Sequence, residues 1–312
     1  MTLDDSLKQP RFRTANDFYR QRFGKKIFRV SLNGGFTCPN RDGTVGVGGC
    51  VYCSPSGSGD FAGDPHMSLK RQFDEQIAIM RKKWPTGSPL VYFQANTNTY
   101  APSGVLRKTY EEALGLSPDI VGIVIATRPD CLPEETVDLL DELNRRTFVA
   151  VELGLQTIHP TTAARINRGH DLACFDDAVV RLANRGIHVV AHVINSLPFE
   201  TREDMLETIR HLNALPLHGV KIHMLHVMEG TRLAREYADR PFELMSMEAY
   251  CALVADQIEI LREDLVVYRI TGDAPSARLI APTWTRLKIV VQNEIDKQLR
   301  LRRSYQGSRF EP

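Results

Sequence analysis

The chain contains no apolar run approaching the roughly 20 residues that a membrane-spanning helix requires. Its opening stretch, MTLDDSLKQPRFRTANDFYR, lacks the apolar centre of a secretory signal. No G-x-G-x-x-G fingerprint opens a helix and no G-x-x-x-x-G-K-S/T loop occurs, which removes the main dinucleotide- and triphosphate-binding readings. Six cysteines among 312 residues are too few for the disulfide framework of a small secreted domain. Only one C-x2-C knuckle is present, where a structural zinc loop usually pairs two. No long low-complexity linker interrupts the chain. These absences leave a soluble globular protein, expected in the cytoplasm and with no membrane partner.

The near-balance of charge, 39 Lys and Arg against 38 Asp and Glu, hides an uneven distribution. Residues 1–30 carry a local +5 and residues 286–312 a local +4, so the middle carries −8. Charged ends are most often simply solvated. The alternative is a basic strip for nucleic acid, in which arginines interleaved with Phe12, Tyr19 and Phe23 supply phosphate contacts and base stacking.

What the middle of the chain does contain is a repeated strand–loop–helix rhythm. Near-continuous apolar, β-branched runs at 27–33, 90–95, 120–127, 148–155, 187–194 and 219–225 read as parallel strands covered on both faces. Helical patterns lie between them, near 68–83, 103–115, 133–145, 173–185 and 202–214, with start signals at Pro133 and Thr201. The expected fold is α/β: a partial (β/α)6 TIM-type barrel of parallel strands with a C-terminal α/β extension. The expected division is a basic N-terminal extension (1–26), the barrel (27–245) and an extension packed on it (246–312). In that last part, VVYRI (266–270) reads as a strand between helices at 246–262 and 283–302.

Three cysteines lie within sixteen residues, Cys38, Cys50 and Cys53, as C-x11-C-x2-C on a glycine-rich loop that follows the first strand. The C-terminal ends of barrel strands are where such folds place their chemistry. Thiolates are natural ligands of an iron–sulfur cluster, and three of them leave a fourth iron open. Spacing alone also admits a Cys3His zinc site completed by His66.

The phrases CPNRDGTVGVGGCVYC, YFQANTNTY, ATRPDCLP, VELGLQT, INRGHD and VYRITGD, with the aromatic Tyr52 before the last cysteine, resemble the radical SAM superfamily. Within it they are similar to the YtqA/YhcC-type branch, related to the Elongator catalytic subunit and to MnmL-type tRNA-modifying proteins. The resemblance runs from about residue 12 to residue 300. It implies a [4Fe–4S] cluster on Cys38, Cys50 and Cys53 that reductively cleaves S-adenosyl-L-methionine to a 5′-deoxyadenosyl radical. It further implies a one-electron donor such as flavodoxin or ferredoxin. A tRNA wobble uridine is the implied substrate, its 5-carboxymethylaminomethyl group being converted to 5-aminomethyl. Rival readings are a radical enzyme acting on a small molecule or peptide, and a zinc-stabilised RNA-binding protein without catalysis.

By the same resemblance, Tyr52, Gln94 and Asn96 are expected beside the cofactor, Glu152 or Gln156 at its ribose, and Arg168 at its methionine carboxylate. Arg128, held extended by Pro129, is expected to aim into the barrel mouth at a carboxylate or phosphate. Glu152, an acid in an apolar strand, needs a partner, and Arg128 or Arg165 would serve. Catalytic candidates are Cys131, read alternatively as a buried inert thiol, and His192, Lys221 and His223 on the last two barrel strands. His170 and His226 lie close by in sequence. Ser196 stands where relatives carry glycine, which puts an adenine contact at that loop in question.

Overall fold

In a computed structural model, residues 11–311 are described. The six expected strands form at β1 (Ile27–Leu32), β2 (Ser88–Phe93), β3 (Gly122–Thr127), β4 (Phe148–Gln156), β5 (His188–Asn195) and β6 (Gly219–Met224). Their apolar side chains are almost wholly buried, because helices cover the outer face and the curled sheet encloses the inner one. The helices after the strands are α2 (Leu69–Lys83), α3 (Ser103–Leu114), α4 (Glu134–Asn144), α5 (Pro160–Arg165), α6 (Leu172–Ala183) and α7 (Arg202–Asn213), while α1 (Ala15–Phe23) packs against the inward-facing Ile27, Leu90, Val124 and Phe148. Thr201 starts α7 with a capping box: its hydroxyl accepts from Asp204 N, and the Asp204 carboxylate accepts from Thr201 N. Helix α5 is too short for its periodicity to be read from sequence. The same holds for α8 (Arg232–Asp239), which follows the two-residue strand β7 (Val227–Met228).

The C-terminal part contributes more than an attachment. Strand β8 (Val266–Arg269) pairs in parallel with β6, Gly219 opposite Val266, so the sheet has seven strands in the order β1-β2-β3-β4-β5-β6-β8. A short β9 (Leu279–Ala281) pairs antiparallel with β7. Helices α9 (Met247–Ile260) and α10 (Lys288–Leu301) pack together over the outside, with Val254, Ile258, Val291 and Ile295 in the main core. Strands β1 and β8 are the two edges, so the barrel is not closed by hydrogen bonds.

Residues 1–10 of the expected N-terminal extension lie outside the described residues; from residue 11 on, much of both basic ends packs on the protein itself. Tyr19 on α1 is buried, and Phe18 and Phe23 pack with it against Phe148 and Tyr268, while Phe12 packs on the main core. This corrects the base-stacking expectation for Phe12, Tyr19 and Phe23. The cations follow: Arg22 lies 4.8 Å over the Phe148 ring, Lys26 lies 4.7 Å over Trp84, and Arg13 donates to Asp264 O at 2.8 Å. At the other end, Arg302 pairs with Asp256 at 2.9 Å and Arg309 with Glu259 at 3.1 Å. Arg13 and Arg22 border a cavity of about 340 Å³ at the strand starts, beside Phe148, His188 and Val266. That is the end opposite the cysteine loop. Among the described residues no helix is long and apolar enough to cross a membrane.

His188 sits in that floor, 8% exposed, its ring 4.6 Å from His218 and its Nε2 2.7 Å from the Tyr268 hydroxyl. Burial, then His218 and Arg22, hold it down to about 3, against 6.5 in the unfolded chain. The unfolded chain therefore binds the extra proton between these values, and stability is lost as pH falls from 6.5 towards 3. The expected slope is about 1.4 kcal/mol per pH unit for this group. Urea unfolding of wild type and H188Q from pH 7 to pH 4.5 checks it: the slope should be shallower in the variant.

Candidate active site

The loops leaving the C-terminal ends of the strands surround a cavity of about 590 Å³. Cys38, Cys50 and Cys53 line it together with Tyr52, Gln94, Asn96, Arg128, Gln156, Arg168 and His170. Glu152, His192, Lys221, His223 and His226 lie along the barrel side of the same cavity. Chain folding thus collects residues from position 38 to position 226 at one mouth.

The cysteine loop, between β1 and α2, has little regular structure and is shaped by single hydrogen bonds. Arg41 N donates to Cys38 O at 2.8 Å, Cys53 N to Cys50 O at 3.0 Å, and Val51 N to Ile166 O at 3.0 Å. Asn40, 1% exposed, donates from Nδ2 to Asn167 O at 2.5 Å and approaches Cys50 Sγ at 3.7 Å. The Arg41 guanidinium donates to Pro55 O at 2.9 Å and to Cys53 Sγ at 3.2 Å. The Ser58 hydroxyl lies 3.3 Å from the same sulfur. Gln94 and Asn96 clamp this loop: Gln94 Nε2 donates to Ser58 O at 3.2 Å, and Asn96 Nδ2 to Phe36 O at 3.0 Å. Gly57 is at φ +66°, and a Cβ there would meet Asn96 Oδ1 at 2.0 Å, so this close approach needs glycine.

The donor set bears on which metal would fit. Burial and the neighbouring Cys53 push the Cys50 thiol up to about 11, with Arg128 opposing the rise, so thiolates there need cationic partners. The three sulfurs do not all lie within 4.8 Å of one another. Tetrahedral zinc, with Zn–S near 2.3 Å, would draw its thiolates to about 3.8 Å apart. His66, the fourth ligand of the zinc reading, is exposed and does not line the cavity. Three thiols with hydrogen-bond donors aimed at two of the sulfurs fit a larger iron–sulfur group.

Beneath the loop the barrel holds an ionic floor. Glu152, on β4 and 1% exposed, accepts at Oε2 from the Tyr92 hydroxyl at 2.8 Å and lies 2.9 Å from His192 Nε2. Lys221 Nζ donates to the same oxygen, and Arg29 Nη2 lies 3.0 Å from Oε1 as an ion pair without an aligned hydrogen bond. Burial opposes ionisation of Glu152, but Lys221 and Arg29 overcome it and hold the carboxyl well below its usual range. Burial, with Lys221 beside it, keeps His192 neutral by lowering it to about 4. Arg29 and Tyr92 went unnoticed in the sequence. Their signal was present, since Arg29 breaks an apolar strand as Glu152 does.

Several expectations change here. The partner of Glu152 is Arg29 with Lys221, not Arg128 or Arg165, and its carboxylate is engaged in the floor rather than free for a ribose. Arg128 chelates Asp130, Nε to Oδ1 at 2.9 Å and Nη2 to Oδ2 at 2.6 Å, and its Nη1 donates to Arg168 O at 2.7 Å. Arg168 is 1% exposed and donates to the carbonyls of His170, Leu155 and Thr157 at 3.0, 2.7 and 2.6 Å. It therefore acts as a brace for the end of β4, not a free carboxylate ligand. Cys131 is buried outside the cavity lining, its thiol 3.8 Å from Asp130 and pushed up by burial, so the inert reading replaces the catalytic one. Ser196 has φ 72°, a glycine-like conformation, and its hydroxyl accepts from Met245 N at 3.2 Å, turned towards the C-terminal part. Gln156, at φ 65° beside the β4–β5 register shift, stays at the cavity wall.

The family model described as Radical SAM superfamily matches residues 37–212, and the one described as Radical_SAM C-terminal domain matches residues 217–300. The uncharacterized protein YtqA of Bacillus subtilis (strain 168) is 48% identical over 306 residues, covering 98% of this chain and 95% of that protein. Protein YhcC of Escherichia coli (strain K12) is 35% identical over 280 residues, 89% of each chain. The solved archaeal Elp3 of Methanocaldococcus infernus shares the fold, with a TM-score of 0.65 at 16% identity. It is matched over 90% of this chain and 64% of its own.

The ionic floor yields a stability prediction. E152Q leaves Lys221 buried, and Arg29 half-buried, without a counter-charge and should cost about 3–5 kcal/mol. Denaturant unfolding measures it; a variant as stable as wild type would refute the assignment of Glu152 as the charge that neutralises the floor.

Proposed function

Because the chain belongs to the radical SAM superfamily, we propose that Cys38, Cys50 and Cys53 hold its [4Fe–4S] cluster and that its substrate is the wobble uridine of tRNA. The observation that carries the first half is the convergence of three thiols, from a loop clamped on both sides, on one cavity. When bound, the cluster and S-adenosylmethionine supply a 5′-deoxyadenosyl radical, chemistry that belongs to the cofactors and not to side chains. The protein's own share is placement. Asn40, Arg41 and Ser58 direct donors at the sulfurs, which tunes a cluster. Arg128, fixed by Asp130, adds a positive charge beside Cys50 and Cys38. Gln156 and Tyr52, both at the cavity wall, are the proposed contacts to the nucleoside part of S-adenosylmethionine.

The tRNA half is supported by the likeness of the chain's phrases to the branch related to the Elongator catalytic subunit. Conversion of 5-carboxymethylaminomethyl to 5-aminomethyl fits hydrogen abstraction from the methylene between nitrogen and carboxylate. A target base that reaches this cavity of about 590 Å³ would enter flipped out of its loop. Among the ionised groups lining the inner cavity, Lys221, Arg29 and Arg269 outnumber Glu152 and Asp273 by one, which suits a substrate that carries a carboxylate.

Anaerobic reconstitution with iron and sulfide should give brown protein with about four irons per chain, producing methionine and 5′-deoxyadenosine under a strong reductant. Alanine at Cys38, Cys50 or Cys53 should abolish both while leaving the circular dichroism unchanged. Colourless protein that takes up zinc alone would contradict the cluster. Nucleoside mass spectrometry of tRNA from a deletion strain should show 5-carboxymethylaminomethyluridine accumulating; an unchanged profile would contradict the tRNA substrate.

A further inference from the structure

The loop after β5 presents an aromatic in a place and a conformation that packing does not explain. Phe199 is 72% exposed and has φ 73°. A bulky residue in the left-handed region is a genuine backbone outlier, and such strain persists only where the surroundings impose it. They do so here. Two residues earlier Leu197, 2% exposed, packs in the small core that includes Val51 of the cysteine loop and Ile166. On the other side Glu200 N closes a turn onto Leu197 O at 3.1 Å and Thr201 caps α7. The backbone at Phe199 is therefore pinned on both sides while its ring faces water.

One face of that ring is already covered. The Arg165 guanidinium, at the end of α5, lies 3.7 Å from the ring centroid, a stacked cation–π contact. No carboxylate pairs with Arg165 among the described residues. The acids around this loop face other groups: Glu200 lies against Thr157 and Thr162, Asp171 and Asp204 cap helices, Glu203 pairs with Arg210, and Glu207 lies 3.7 Å from His159. The other face of the ring remains open at the C-terminal end of the barrel strands. Two residues beyond Arg165, Asn167 donates to Gly49 O of the cysteine loop at 2.8 Å, which ties this rim to the mouth.

We infer that Phe199 and Arg165 form a stacking platform for an unpaired nucleobase of an RNA substrate, outside the cavity itself. An aromatic face backed by an unpaired arginine is what recognises single-stranded bases, since every base has a π-face and the cation supplies a phosphate contact. A ring presented from a pinned backbone costs less loop ordering on binding, which gives the strained backbone a use. This rests on the RNA reading above and adds to it a site outside the cluster cavity.

The experiment measures affinity for labelled tRNA by fluorescence anisotropy with the reconstituted enzyme, for wild type and for F199A, F199G, F199W and R165A. F199A and F199G should bind about 5-fold or more weakly, F199W within about 2-fold of wild type, and R165A more weakly than wild type. Cleavage of S-adenosylmethionine without RNA should be unchanged in all four. The melting temperature of F199G should equal or exceed that of wild type, because glycine accepts the positive φ. A lower melting temperature in F199G would assign Phe199 to packing and overturn the platform. Wild-type binding with equal affinity in F199A would overturn the platform alone. No binding by wild type would overturn the RNA reading and the platform with it.

Discussion

The buried carboxylate of Glu152 is the constraint on which the interior depends. One side chain on β4 gathers Arg29 from β1, Tyr92 from β2, His192 from β5 and Lys221 from β6. Apolar packing alone would let those strands slide or flatten against one another. A shared buried charge does not, because each cation left without it would be stranded in a medium of low dielectric. The outer layer of leucines, valines and isoleucines makes up most of the buried core, and the ionic floor adds a charge that links β4 to four other strands. It also fixes how deep the cavity reaches, since the floor fills the barrel below the mouth and leaves the strand ends open.

Above the floor, the mouth is built by local exceptions to regular backbone. Asn96, Gln156, Asn167, Ser196 and Phe199 all have positive φ, and all lie on loops or strand ends at the C-terminal side of the sheet. Strain gathered at one end of a barrel marks the end where shape is dictated by function. The cysteine loop needs this support because it has almost no secondary structure. Gln94 and Asn96 hold one flank, and Asn167 with the chain at Ile166 holds the other. Arg168, braced against three carbonyls, stiffens the segment that the loop leans on.

The six barrel strands were legible because each is an apolar, β-branched run, and the helices between them because their starts carry capping chemistry. Helices α5 and α8 were not, being shorter than a readable period. The seventh strand was seen as a strand, but pairing is a long-range property, and nothing local to VVYRI says that it continues the sheet beside β6. At the site, Cys38, Cys50 and Cys53 were legible from spacing and place. The partners of Glu152 were not, because which inward-facing residues meet depends on sheet register across more than a hundred residues. Arg168 was misjudged, and Cys131 was left between a catalytic and an inert reading, for a related reason. Position near a mouth says nothing about whether a guanidinium is already engaged by carbonyls, or whether a thiol points into the cavity or away from it.

A scaffold with an ionic floor, a strained rim and three clamped thiols presents cofactor and substrate to each other while contributing few reacting groups of its own. The central claim is that Cys38, Cys50 and Cys53 alone ligate the cluster, so that one iron has no protein ligand. Mössbauer spectroscopy of protein reconstituted with iron-57, with and without S-adenosylmethionine, tests it most directly. The account predicts that a single iron site changes its isomer shift when the cofactor is added, the other three staying as they were. A spectrum unaltered by S-adenosylmethionine, with all irons alike in their thiolate ligation, would contradict it.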